Sequence, residues 1–144
     1  MPFSVTYANN ILNYLFSKTK SLSPPALVYI GLSTNDPEAD GGTFNELSGN
    51  NYARLLLSSK DSTYPNFFST ASNRNIKNDY QMVFNKATGD WETANGFGLF
   101  SSETGGTPFY YGKLDAPVFV PAQAVALFDP GTLSITLPDT DVSG

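Results

Sequence analysis

The sequence predicts a mainly β protein, a small antiparallel β-sandwich of jelly-roll type with one N-terminal α-helix, in a single domain over residues 1–144. Three observations lead there. From residue 26 onward the chain divides into short apolar stretches of strand length, set apart by Gly, Pro, Asn and Asp. Several of these stretches alternate apolar and polar side chains, the period of a half-buried strand. Helical three–four spacing occurs in one substantial segment, at the start of the chain.

That segment is SVTYANNILNYLFSK, residues 4–18, with Val5, Ala8, Ile11, Leu12, Leu15 and Phe16 on one face. Ser4 is the expected N-cap, Lys18 and Lys20 suit the negative end of the helix dipole, and LSPP stops it. The apolar face is expected to cover one sheet or an open end of the sandwich. Next comes ALVYIGLST, residues 26–34, apolar on both alternating sets and therefore expected to be covered on both sides. Further strands are expected over 52–60, 76–84, 96–101, 108–114, 117–120, 124–128 and 132–137. Within 76–84, Ile76, Tyr80, Met82 and Phe84 oppose Lys77, Asp79 and Gln81; within 132–137, Leu133, Ile135 and Leu137 oppose Thr132, Ser134 and Thr136. The tail DTDVSG follows the last strand, and no internal repeat or interdomain linker is visible.

Composition narrows the function. Charged residues are 15% of the chain and aromatics 14%, so much of the surface is uncharged and suited to contact with other proteins. The net charge is −5 with no Lys/Arg run, which argues against nucleic acid and against an anionic membrane surface. No stretch is long and apolar enough for a membrane span, and the first residues lack the basic-then-apolar pattern of a signal peptide. With no Cys and no His, disulfides, thiolate nucleophiles, Ser-His-Asp triads and nearly all zinc chemistry are absent. No cofactor and no catalytic residue is expected.

Four groups of residues invite a chemical reading. DPEADGG, residues 36–42, places Asp36, Glu38 and Asp40 at every second position before a glycine, as in the opening of a calcium loop. The bidentate Glu that such a loop needs at its twelfth position is replaced by Leu47, so no metal is expected; were an ion held, those three carboxylates would be its ligands. Asp90 and Glu92 flank Trp91, an arrangement open to glycoside hydrolysis but more simply a polar strand face with Trp91 turned inward. Glu103 and Asp115 complete the set of carboxylates an enzyme would have to use, and their spacing pairs none of them. Gly96, Gly98, Gly105 and Gly106 lie among strands, where they serve turns and close backbone approach and do not cradle a phosphate. DSTYPNFFST, residues 61–70, carries Tyr64, Pro65, Phe67 and Phe68 without strand or helix periodicity; it either plugs the core or docks on a partner.

In order, PPALVYIGLSTNDP, a glycine-rich acidic loop, NYARLLL, NKATGDWETANGFGLFSSETGG, FYYGKL and ALFDPGTLSITL resemble a family of small virion proteins of tailed bacteriophages, usually labelled phage tail fibre or minor tail proteins. Related small β proteins act as decoration or cement proteins on phage heads. The resemblance runs from the helix to Leu137 and implies a non-enzymatic structural role on the phage particle, assembled in the host bacterial cytoplasm, with no catalytic residues to carry over. The chain departs from the pattern at Pro121-Ala122-Gln123, where a glycine is usual, and in the added aromatic loop 61–69. The first expectation is a capsid decoration or cement protein that contacts the major capsid protein and copies of itself, a trimer by analogy, through Tyr64, Pro65, Phe67 and Phe68. The alternative is a tail fibre or tail-tip module contacting tail proteins or host-surface glycan, with Trp91, Tyr110 and Tyr111 as a sugar-stacking platform.

Overall fold

The computed structural model describes residues 3–18, 24–59 and 67–137. It is mainly β and antiparallel, with one N-terminal helix. Helix α1 spans Val5–Phe16, and Ser4 caps it as its side chain predicts: the Tyr7 N–H donates to Ser4 Oγ at 3.3 Å. At the other end the Ser17 N–H closes the last turn on the Asn13 carbonyl.

The strands are β1 (Leu27–Ser33), β2 (Leu55–Ser59), β3 (Asn75–Lys77), β4 (Met82–Val83), β5 (Ala94–Phe100), β6 (Tyr110–Val118), β7 (Leu127–Phe128) and β8 (Ser134–Thr136). Four of them form one sheet in the order β2-β1-β5-β6. The other layer is less regular than a jelly roll: β3 pairs with β8 and β4 with β7, as two separate ladders. One core cluster joins the layers, Ile30, Leu32, Phe97 and Leu99 of the sheet meeting Met82, Phe84, Ala126 and Leu133. β1 and β5 sit in the middle of the sheet, and β1 is covered from Ile30 to Ser33 as its unbroken apolar run requires.

Three departures from the sequence expectation have physical causes. The stretch 76–84 is not one strand. Asn78 is fully buried and interrupts it: its Nδ2 donates to the Tyr80 and Asp129 carbonyls and its Oδ1 accepts the Leu133 N–H at 2.9 Å. The chain turns there, which exposes Tyr80 and buries Met82 and Phe84. Conversely, the two strands expected over 108–114 and 117–120 are the single strand β6. Pro117, which lacks an N–H, is tolerated because β6 is the sheet's edge. Finally, β2 starts at Leu55, later than expected, because the residues before it are held elsewhere. Gly49, Asn50 and Asn51 all take positive φ, and the Asn50 carbonyl accepts the Trp91 indole N–H at 2.8 Å.

The glycines of β5 are needed for close approach. Gly98 faces Gly31 across the β1–β5 ladder. A Cβ on Gly31 would meet Glu46 Oε2 and the Tyr52 hydroxyl, and one on Gly98 would meet Phe44 and Pro108.

Candidate functional site

The acidic loop folds back onto the body. Asp36 Oδ1 accepts the Glu38 N–H at 2.9 Å, Asp40 Oδ2 accepts from Asn35 Nδ2 at 2.7 Å, and Glu38 Oε2 accepts the Lys113 N–H of β6 at 3.3 Å. The three carboxylates thus serve three different donors, and Gly41 and Gly42 make the turn at positive φ. Among the described residues no group of three or more acidic side chains is placed to hold a metal ion.

Beside that loop lies a cluster that sequence reading missed. Arg54 is buried at the start of β2 and grips Glu46 with both arms of its guanidinium, Nε to Oε2 and Nη2 to Oε1, each 2.8 Å. Its Nη1 donates to the Ser102 and Gly105 carbonyls at 3.0 and 2.9 Å, and the guanidinium carbon lies 3.4 Å from the Phe100 ring centre. The Tyr52 hydroxyl donates to Glu46 Oε2 at 2.8 Å and accepts the Leu32 N–H at 2.9 Å. Burial, together with the Glu46 carboxylate, pushes the Tyr52 hydroxyl far above its ordinary pKa of 10.0. Arg54 therefore ties the turn after β5 to the loop before β2; the arrangement is a clamp, with its donors committed inside the protein. The signal for it in the sequence is thin: an Arg entering an apolar run, NYARLLL, with a Glu eight positions earlier.

The rings expected to stack on sugar are covered. Trp91, Tyr110 and Tyr111 are all buried. Trp91 points inward with Tyr52 edge-on to it, while Asp90 and Glu92 face out, as the simpler reading required, although residues 90–92 precede β5 and form no strand. Asp90 Oδ1 accepts the Ala122 N–H at 2.8 Å. Tyr110 packs against Phe3 and Phe97, and burial, with Glu38 nearby, raises its pKa. A stacking platform needs an open ring face, so these three residues do not form one.

The aromatic loop is corrected in part. Phe67 is buried in the core cluster and Phe68 packs against that cluster half-buried, the two rings meeting edge to face. Both plug the core instead of presenting docking anchors; Tyr64 and Pro65 lie outside the described residues. Asp115 is a surface residue on β6, at the rim of a cavity of about 340 Å³ floored by Ile30, Leu32 and Phe97. Glu103 is exposed in the turn that Arg54 holds.

The apolar surface lies elsewhere. Helix α1 has no buried residue. Its root is fixed to the sheet: the Ser4 N–H donates to the Phe109 carbonyl at 2.9 Å, and Tyr7 lies on Phe109. Most of its apolar stripe, expected to cover a sheet, instead faces outward, with Val5 75%, Leu12 56%, Leu15 59% and Phe16 80% exposed and Ala8 and Ile11 half-buried. A second, smaller apolar area is formed where Val83 and Leu127, partners across the β4–β7 ladder, both point outward near Val125. No described helix is long and apolar enough to cross a membrane.

A direct comparison with curated protein sequences finds no match. The family model described as "Podophage GP4 fiber I protein gp80" matches residues 2–136, nearly the whole chain, and overlaps the stretch from the helix to Leu137 over which the sequence resembles phage fibre proteins. The chain belongs to that family, and is accordingly a virion-associated structural protein of a bacteriophage.

Proposed function

We propose that this chain is a non-enzymatic building unit of a phage tail fibre, acting through protein contacts. The carrying observation is the contrast on its surface. The best-organised polar group, Arg54 with Glu46 and Tyr52, has its hydrogen bonds inside the protein, whereas the apolar stripe of α1 and the Val83/Leu127 pair stand in solvent. Exposed apolar area of that kind fits a subunit that is completed by neighbours. The tail reading takes its support from the family's printed description, a fibre protein.

On this reading the β body is a stiff spacer and its outward apolar side chains make the joints. The partners are tail proteins and further copies of the chain. Sugar stacking by Trp91, Tyr110 and Tyr111 has no part in it, since those rings pack the core. The test is the number of copies per particle, measured by quantitative mass spectrometry of purified virions against the major capsid protein, with gold labelling for position. A fibre unit is expected at tens of copies, with label at the tail. A ratio to the capsid protein near one, or a simple fraction of it, with label over the shell, would overturn the fibre reading in favour of capsid decoration.

A further inference from the structure

We infer that the outward stripe of α1 is the surface on which copies of this chain join, helix against helix. Val5, Ala8, Leu12 and Leu15 recur at alternating steps of three and four, the spacing of a coiled-coil seam, and Phe16 widens the stripe. The stripe covers roughly 100° of the helix, enough to meet one neighbouring helix.

Four features identify the occupant as another copy. The helix is twelve residues long, and helices of that length are marginal in water unless something covers them; here no residue is buried. The described residues of the chain's own body do not cover the stripe, since they hold the helix root from its other side, through Tyr7 on Phe109 and Phe3 on Tyr110. No side chain from Phe3 to Ser17 is charged, although the protein carries −5 overall. A neutral apolar stripe meets its own image without like-charge repulsion, as a symmetric contact requires, and offers nothing to a basic, acidic or lipid-headgroup surface. At the exposures observed, the stripe presents on the order of 500 Å² per copy, so that a pair of helices buries at most about 1,000 Å², the lower end for a specific contact. The inference stands independently of whether the protein sits on the tail or the shell.

The chain has no cysteine, so one introduced thiol reports one position. The full chain is examined by sedimentation velocity between 1 and 100 µM, as wild type and as Leu12→Asp, and Leu12→Cys is compared with Thr6→Cys, which is exposed but off the stripe, under mild oxidation. The expected result is concentration-dependent association of the wild type, weakened at least tenfold by Leu12→Asp with unchanged β-sheet circular dichroism, and disulfide dimers from Leu12→Cys well in excess of those from Thr6→Cys. A wild type that stays monomeric to 100 µM overturns the inference. So does association that Leu12→Asp leaves intact, or equal cross-linking at the two thiols, either of which would place the joint elsewhere.

Discussion

Helix α1 and strand β1 carry comparably apolar sequences, yet one is uncovered and the other enclosed. In β1, Ile30 and Leu32 lie in the core, with strands on both sides and the second layer over one face. In α1 the stripe from Val5 to Phe16 meets solvent. The difference comes from what holds each element in place. β1 is fixed along its length by two ladders and by the Tyr52 hydroxyl on the Leu32 N–H. α1 is fixed at its root, by a backbone hydrogen bond and two ring contacts, in an orientation that turns its apolar stripe outward. Periodicity reports which face of an element is apolar; it does not report whether the cover comes from the same chain.

If the β body is self-sufficient, damage to its clamp should unfold it. Arg54→Met removes the guanidinium from Glu46, from two carbonyls and from the Phe100 ring while keeping the apolar stem. The Glu46 side chain is 26% exposed, so it is left largely desolvated without its partner. A loss of about 3 kcal/mol is expected in urea denaturation, since removing one member of a buried pair strands the other charge. A loss under about 1 kcal/mol would mean that the turn 101–106 is held without the clamp.

Next in size is Tyr52→Phe, which leaves the Leu32 N–H without its acceptor and takes a donor from Glu46; about 2 kcal/mol should be lost at neutral pH. Tyr52 also sets a pH limit. Its pKa is raised in the folded state above the ordinary 10.0, so its stabilising contribution is full below about pH 10 and is lost as pH rises beyond it. The wild type should therefore weaken more steeply above pH 10 than Tyr52→Phe. Tyr7 and Tyr110, whose pKa values burial also raises, contribute to the slope that remains. Parallel slopes for the two proteins would remove Tyr52 as the alkaline trigger.

A smaller effect of opposite sign is expected at the turn formed by residues 121–123. Gln123 takes φ 72°, held there by the Ala87 carbonyl accepting its N–H and by the Ala122 N–H on Asp90. That conformation strains a side chain with a Cβ, so Gln123→Gly should stabilise the body by about 0.5–1 kcal/mol. No gain in thermal midpoint would show that the Gln side chain offsets the strain.

The sequence was most informative where each residue's partner is close along the chain or where a whole run shares one environment. Ser4 and its helix, the enclosed run of β1, the inward Trp91 and the antiparallel β class are of this kind. It was least informative where one side chain decides the path by reaching far. Asn78 divides an alternating stretch because it binds the chain 51 and 55 positions away, and Arg54 reaches 48 and 51 positions to its carbonyls. Phe67 and Phe68 look like docking residues because their loop has no period; Phe67 is buried and Phe68 half-buried because the core cluster passes beneath them. For the same reason the rings of Trp91, Tyr110 and Tyr111, each plausible as a stacking face in isolation, lie inside.

The smallest expected effect separates the two regions most cleanly. Ser4→Ala removes the oxygen that accepts the Tyr7 N–H, while the Ser4 N–H can still donate to Phe109. Cap loss costs a helix about 1 kcal/mol. A helix integrated into the core would pass that loss to the whole protein. Because no residue of α1 is fully buried and its contacts with the body lie at its root, the loss should remain local: faster amide exchange over Val5–Phe16 and a weaker helical circular dichroism signal, with the thermal midpoint of the β body unchanged. At concentrations where copies associate, the same substitution should weaken association, since a frayed helix must be ordered again before its stripe can be covered. A midpoint lowered in dilute solution would instead make α1 part of the body's own cooperative unit.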